Sequence, residues 1–161
     1  MTATAAQATI TRLYSALSRL DGDTMQACCA ADARFDDEAF SLKGADPIGG
    51  MWRMPCSTPQ AKGRDVWRPE FADVTDPGAH WEAHCRFSAT GRIAHNLIEA
   101  DIPCGPDGLI QRQRDSFDFW RWARQSLGAP GLLRGWTPFL RRKVRAQAAA
   151  NLAGFMAASL R

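Results

Sequence analysis

Apolar residues recur near the start of the chain with the period of a helix. They are spaced i, i+3, i+4 and i+7 at Ile10, Leu13, Tyr14 and Leu17. This spacing is typical of an amphipathic helix that turns one face toward a core, and it predicts a first helix that runs to about Leu20. Cap and turn residues predict a short second helix at about residues 24–30 and a third that begins near Asp46 and Pro47.

The middle of the chain alternates between apolar and polar positions, and this period of two predicts strands. The predicted strands cover about residues 33–37, 65–74, 81–89, 92–102 and 109–119. Pairs typical of hairpin turns separate the last four: Pro77-Gly78, Thr90-Gly91 and Asp107-Gly108. Helices followed by antiparallel strands indicate the α+β class. We expect a curled antiparallel sheet that forms a cone, with the N-terminal helices over its concave face.

The end of the chain predicts one further helix. Thr137 and Pro138 fit a cap and a first helical residue. Apolar side chains then fall on one helical face: Leu140, Val144, Ala148, Leu152, Phe155 and Met156. This face needs a covering surface, which is the chain's own sheet, a second copy of the chain or a membrane. A homodimer is the assembly that we expect.

The last predicted strand of the sheet carries polar side chains toward its end. If Gly108 closes a hairpin, alternate residues share one face: Gln111, Gln113, Asp115 and Phe117. An acid at the end of a half-buried strand is either solvated or placed in a cavity. We favour the cavity, because Phe117 and Trp120 flank Asp115 and lower the local polarity.

The composition fits one domain over residues 1–161, with a core at about 5–122 and a helical extension at about 123–161. The chain is 45% hydrophobic and 23% charged, which is ordinary for a globular domain. The first ten residues lack the features of a signal peptide, and no stretch approaches the roughly 20 apolar residues of a membrane span. We expect a cytoplasmic protein with no membrane span.

Motifs for metals, nucleotides and disulfides are missing from the sequence. The five cysteines are an odd number and form no Cys-x-x-Cys pair, and there is no zinc-finger spacing, phosphate-binding glycine loop or dinucleotide fingerprint. His95 and Glu99 lie four apart on one strand, and Glu82 and His84 lie near them if the turn is tight. That group fits a proton relay or a metal site; its spacing is generic, and we expect no metal.

The formal charge of +3 is mild, but cations are concentrated near the C-terminus at Arg141, Arg142, Lys143 and Arg145. A basic helix can bind nucleic acid or an anionic membrane surface. A short run of cations is more often a solvated helix face, which is the interpretation that we favour. We therefore expect no nucleic-acid partner.

Several short motifs, taken together, resemble the nuclear-transport-factor-2-like superfamily. The superfamily includes SnoaL-like polyketide cyclases, ketosteroid isomerases and limonene epoxide hydrolases, and the resemblance covers about residues 5–122. The matching segments are Tyr14-Ser-Ala-Leu, Asp21-Gly-Asp23, Ala31-Asp-Ala33, Phe35-Asp-Asp37, Thr90-Gly-Arg92, Asp107-Gly-Leu-Ile110 and Arg114-Asp-Ser-Phe-Asp118. The resemblance implies a cone-shaped fold, although members of the superfamily catalyse different reactions.

The resemblance also implies roles for individual residues. In the ketosteroid isomerases, a tyrosine of the first helix holds a dienolate oxygen and an aspartate after the first short strand moves the proton; Tyr14 and Asp37 stand at matching places. The acid that donates to the oxyanion would fall near Glu99 or Ala100. In the epoxide hydrolases, the aspartate of the final-strand motif helps activate water, and Asp115 matches it. The second acid and the arginine of that site are not matched as a set around residues 82–84.

We therefore hypothesise a cofactor-independent enzyme that performs acid–base chemistry on a small hydrophobic, oxygenated molecule. Asp115 or Asp37 would move the proton, and Tyr14 and His95 would stabilise developing charge. The residues that we expect to bind the substrate are Trp52, Glu99, Gln113, Phe117 and Trp120. Isomerisation, cyclisation and hydration all fit this arrangement. The alternative is a ligand-binding or dimerising domain in which the same polar residues only satisfy one another.

Overall fold

A computed structural model of the chain describes residues 3–62, 67–87 and 89–161. The α+β class is confirmed, with six helices and a curled sheet in the described part of the chain. The elements follow in the order α1 (Ala5–Ser18), α2 (Gly22–Ala27), β1 (Cys29–Asp36), β2 (Ser41–Lys43), α3 (Ala45–Lys62), β3 (Trp67–Val74), β4 (Gly78–Arg86), β5 (Ile93–Asp101), β6 (Ile110–Ser116), α4 (Phe119–Leu127), α5 (Ala129–Arg134) and α6 (Pro138–Ser159). The predicted start of β3, at residues 65 and 66, lies outside the described residues.

The six strands of the described chain form one sheet in the order β2-β1-β6-β5-β4-β3. Strands β3 to β6 form the predicted antiparallel meander. Strand β1 pairs with β6 in the parallel direction, with Asp36 opposite Arg114, so the sheet is mixed where the sequence predicted only antiparallel pairs. Local turn residues define hairpins, but they carry no information on this pairing between distant segments.

The core lies between the sheet and the first three helices. The predicted stripe of α1 is buried, including Ile10, Leu13 and Tyr14. The Tyr14 ring lies 6.0 Å from the Trp81 ring of β4, and Trp52 of α3 lies 5.8 Å from Trp81 on another side. Burial of such large rings stabilises the fold by roughly 2–3 kcal/mol each. These rings fix α1 and α3 against the sheet.

Strand β6 ends earlier than predicted, because Asp118 starts a helix. Its carboxylate accepts a hydrogen bond from the Arg121 backbone N–H at 2.9 Å and caps α4. Helix α5 then packs tightly on α4: a Cβ on Gly131 would come within 1.9 Å of the Ala123 carbonyl oxygen. Only glycine fits this contact, and it holds the two short helices together.

The long last helix, α6, packs against α3. Leu152 is buried in the core, and the Met156 side chain lies beside Gly50 of α3. The predicted apolar face is therefore covered in part by the chain's own helix. No helix in the described part of the chain has both the length and the apolar composition needed to cross a bilayer.

Candidate active site

An apolar cavity of about 180 Å³ opens on the helix-covered side of the sheet. Alternate residues of β4 and β5 point into it, and small side chains such as Ala83 and Ala94 leave the space. Two carboxyl groups and one amide interrupt the apolar wall. The lining residues are Asp37, Trp67, Trp81, Ala83, Cys85, Ala94, Asn96, Ile98, Asp115, Phe117 and Trp122.

Asp115 is the buried acid of this cavity, with 4% of its surface exposed. It faces inward because β6 pairs it with the inward-facing Ala100 of β5. Its Oδ1 accepts a hydrogen bond from Gln113 Nε2 at 2.9 Å, and its Oδ2 accepts one from Trp81 Nε1 at 3.2 Å. The pKa of Asp115 is raised to about 7, mainly by burial and also by the charge of Asp37, and these outweigh the lowering by the Gln113 and Trp81 hydrogen bonds.

Asp37 follows β1 and lies in the turn that leads to β2. Its Oδ1 accepts hydrogen bonds from the backbone N–H groups of Ala39 at 2.7 Å and Phe40 at 2.6 Å. Burial raises the pKa of Asp37 to about 6, although the two backbone donors and the Arg145 charge lower it. Because both amides bind Oδ1, Oδ2 has no hydrogen bond within the described chain and is free to meet a ligand.

A second, polar cavity of about 350 Å³ meets the first at the same two acids. Strand β1 ends at Asp36 while β6 continues to Ser116, so the two strands part and leave an opening. Its lining residues are Asp36, Asp37, Glu38, Arg112, Arg114, Asp115, Ser116 and Arg145. The two carboxyl groups therefore stand between an apolar chamber and a charged entrance.

Both acids have pKa values raised into the neutral range, to about 7 for Asp115 and about 6 for Asp37, and burial is the main cause for each. Each influences the other, and the pair exchanges its protons as a coupled system. An ionised carboxylate beside a protonated one gives the cavity both a base and an acid near neutral pH.

The turn that carries Asp37 is attached to α6. Arg145 Nη1 donates to the backbone carbonyl oxygens of Asp37 at 3.0 Å and Glu38 at 3.2 Å. Arg141 forms a salt bridge with the Glu38 carboxylate. Two arginines of the C-terminal helix thus hold the turn in place. The sequence predicted only a solvated basic face for these residues, and this contact was not predicted.

Tyr14 lies close to Asp115 without lining either cavity. Burial raises the pKa of Tyr14 well above its usual value near 10, and the charge of Asp115 adds to the shift. The hydroxyl therefore stays protonated at neutral pH and remains able to donate. Its ring packs on the inner side of Trp81, so the described structure places Tyr14 behind the apolar wall.

His95 and Glu99 lie on the opposite face of the sheet from Asp115. Their neighbours Ala94, Ile98 and Ala100 point inward, so the alternation of β5 turns both residues outward. There His95 Nε2 bonds to Glu82 at 2.5 Å, and Glu99 bonds to His80 at 2.6 Å. The structure therefore does not bring His95 or Glu99 to the cavity where the sequence placed them.

The other residues predicted to bind the substrate differ in their distance from the apolar cavity. Phe117 lines the apolar cavity, and Gln113 is buried beside it, where it holds Asp115. Trp52 packs in the core against Phe35 and Trp81, one layer behind the cavity. Trp120 lies on the outer side of α4 with the Arg124 guanidinium 4.4 Å from its ring, and it does not reach the cavity.

Asn96 is a polar lining residue that was not predicted from the sequence. It stands on the inward face of β5 between Ala94 and Ile98. The alternation of the strand contains the signal that would have found it, because Asn96 shares its face with two apolar residues. Its amide can donate to a ligand oxygen or accept from a ligand hydroxyl.

Comparison with known proteins supports the fold. No family model and no curated sequence matches the chain. Among solved structures, it is similar to a proposed polyketide cyclase from Xanthomonas campestris pv. campestris, with 20% identity, a TM-score of 0.59 and coverage of 75% of this chain and 96% of that one. It is also similar to an LEH-like epoxide hydrolase of M. tuberculosis, with 18% identity, a TM-score of 0.56 and coverage of 84% and 95%.

A proposed polyketide cyclase from Pseudomonas putida has 15% identity, a TM-score of 0.59 and coverage of 78% and 99%. These likenesses show that the chain shares the fold of those proteins, an α+β fold with a curled sheet, as its motifs predicted. At such low identity they carry no activity from those proteins to this one.

Proposed function

We propose that the protein is a cofactor-independent enzyme that performs acid–base chemistry on a small, hydrophobic, oxygenated molecule. One observation supports this proposal above the others: two carboxyl groups with raised pKa values, Asp37 and Asp115, open onto the same apolar cavity. Burying a carboxyl group is unfavourable, and such groups concentrate at functional sites. Structural neighbours described as polyketide cyclases and an epoxide hydrolase support the proposal at the level of the fold.

In the proposed mechanism, Asp37 is the base and Asp115 the acid. The ionised Asp37 uses its unbonded Oδ2 to take a proton from a carbon next to a carbonyl group, or from a water molecule. Asp115 gives its proton, or a hydrogen bond, to the substrate oxygen on which negative charge develops. For an isomerisation, Asp37 then returns the proton to another carbon. For the hydration of an epoxide, water adds to carbon while the ring oxygen receives the Asp115 proton.

The cavity limits the substrate to a small molecule. Its volume of about 180 Å³ lies below the usual range of drug-sized pockets. Trp67, Trp81 and Trp122 provide apolar walls, and Asn96 provides one neutral polar contact. We therefore propose a substrate with a compact hydrocarbon body and one or two oxygen atoms.

A panel of small epoxides and β,γ-unsaturated ketones tests this proposal. We expect turnover of at least one class, with a rate that is maximal between the pKa values of about 6 and about 7. Asp37→Asn and Asp115→Asn should each lower kcat/KM at least about a hundredfold. Asp32→Asn, which changes an exposed acid of β1, is the matched control and should leave the rate unchanged.

Two results would overturn the enzyme proposal. One is turnover by Asp37→Asn and Asp115→Asn at the rate of the Asp32→Asn control. The other is tight binding of panel compounds with no turnover at any pH, which identifies a ligand-binding domain instead. We also propose a cytoplasmic homodimer, for which light scattering and cell fractionation are the tests.

A further inference from the structure

Four large apolar side chains are exposed at the junction between α5 and α6. The exposed fractions are 48% for Leu132, 71% for Leu133, 70% for Trp136 and 70% for Phe139. We call these four residues the apolar tip. Single exposed apolar residues are ordinary, but four within eight consecutive positions are a concentration of the kind that marks an interaction surface.

The apolar tip lies in a segment that contains no acid. Residues 119–161 hold eight of the 20 lysines and arginines and none of the 17 acids, so this segment carries a formal charge of +8. The remaining twelve cations and 17 acids give residues 1–118 a charge of −5. The overall charge of +3 hides this separation, which is typical of proteins that bind an anionic partner through one end.

Cations surround the apolar tip. Arg134 is exposed within it, and Arg142 and Lys143 stand three and four residues after Phe139, on the same face of α6. The Trp136 Nε1 donates to the Leu133 carbonyl oxygen at 3.1 Å. Because that hydrogen bond satisfies the polar edge of the indole, its apolar face is left toward the surroundings.

We propose that the apolar tip and its cations dock the protein on the surface of an anionic lipid bilayer. Leucine, tryptophan and phenylalanine side chains enter the boundary between head groups and acyl chains, while arginine and lysine attract anionic head groups. This attachment is peripheral and is consistent with the lack of a membrane-crossing helix among the described residues. It is independent of the proposed reaction.

The charge pattern favours a lipid bilayer over a second copy of the chain or a nucleic acid as the partner of the apolar tip. A two-fold contact centred on the apolar tip would place the tip against itself, and the cations of an acid-free segment would then repel one another. Nucleic acid attracts the cations and can stack a base on Trp136, but its charged sugar-phosphate backbone does not cover Leu132 and Leu133. A bilayer with anionic head groups attracts the cations and also covers the leucines with its acyl chains.

Vesicle sedimentation tests the proposal with the full chain. We expect binding to vesicles of phosphatidylcholine with about 30 mol% phosphatidylglycerol, much weaker binding to phosphatidylcholine alone, and weakening by salt. A double variant, Trp136→Ala with Phe139→Ala, should lose binding about tenfold or more, because it removes two inserted rings. Arg142→Glu with Lys143→Glu should lose binding to a similar extent by reversing the charge.

Matched controls separate a specific loss of docking from the general effect of removing an exposed apolar side chain or of reversing two positive charges. Leu160→Ala removes another exposed apolar side chain at the far end of α6, and Arg12→Glu with Arg19→Glu reverses two exposed cations of the α1 region. Both should bind vesicles as the wild type does. Circular dichroism checks that each variant is folded, and the salt dependence of wild-type binding tests the charge contribution without any variant.

Three outcomes would overturn the proposal. The first is wild-type binding that is equal on anionic and neutral vesicles or absent from both. The second is a Trp136→Ala and Phe139→Ala variant that binds anionic vesicles as well as its control. The third is salt-sensitive binding to a DNA or RNA oligonucleotide, or self-association removed by the apolar-tip variant, without vesicle binding.

Discussion

At the scale of single residues, Asp115 shows that burial can outweigh hydrogen bonding. Both of its oxygens accept hydrogen bonds from side chains, Gln113 and Trp81, which favour the charged carboxylate. Removal from water opposes ionisation more strongly, and the pKa rises to about 7. The nearby Asp37 contributes to the rise, so the proton affinity of Asp115 depends on a partner from a distant part of the sequence.

The raised pKa of Asp115 predicts a loss of stability with rising pH. In the unfolded chain this group ionises near pH 4, while in the folded chain it stays protonated to about pH 7. Between these values the unfolded state binds fewer protons, so the free energy of unfolding falls as pH rises, by up to about 4 kcal/mol for this group. Above about pH 7 the loss is complete.

The measurement is urea unfolding of the wild type and of Asp115→Asn at several pH values. The variant cannot ionise at position 115. The free energy of unfolding of the variant minus that of the wild type should therefore increase between pH 5 and pH 8, whether this difference is positive or negative at pH 5. Asp32→Asn is the control and should show no such trend. A constant difference between Asp115→Asn and the wild type would contradict the raised pKa.

The position of a site residue could be predicted where the signal in the sequence is local, and it was missed where the position depends on pairing with distant strands. Asp115 and Phe117 were placed together because alternation along one strand is local. His95 and Glu99 were misplaced because the face of a strand depends on its register with β4 and β6, and a shift of one residue reverses every side chain. Asp37 was found through a family motif, not through its surroundings.

At the scale of elements, α6 acts on the candidate site from outside the sheet. Arg145 bonds two carbonyl oxygens of the turn that carries Asp37, and its charge lowers the pKa of that carboxyl group. The sequence predicted the helix from its cap and apolar stripe, but it could not predict this contact, because residues 37 and 145 are far apart in the chain. The short helices α4 and α5 were missed because the prediction extended β6 through Asp118.

Replacing Arg145 should change the titration of Asp37. Without the guanidinium charge, the pKa of Asp37 should rise above about 6 in Arg145→Gln, and the acidic limb of the activity profile should move to higher pH. Arg142→Gln is the control, because Arg142 is exposed on the same helix. If the two variants had the same profile as the wild type, Arg145 would be only a structural contact and not a positioning residue for Asp37.

At the scale of the whole molecule, the fold was more predictable than the site. Helix periodicity, hairpin turns and family motifs are local signals, and they were sufficient for the α+β cone. The cavity combines side chains from β3, β4, β5, β6, α4 and the turn after β1, so its content depends on non-local pairing such as the parallel contact of β1 with β6. Charge is also separated along the whole chain: residues 119–161 carry +8 and residues 1–118 carry −5, which the net charge of +3 conceals.

The central claim is that Asp37 and Asp115 form one coupled pair with raised pKa values. Carbon-13 NMR titration of the carboxyl groups measures it directly, with Asp37→Asn and Asp115→Asn used for assignment. We predict that Asp115 titrates at about 7 and Asp37 at about 6, and that Asp37→Asn lowers the pKa of Asp115 because a neighbouring negative charge is removed. Titration of both groups below about pH 5, with neither affected by the loss of the other, would contradict the claim.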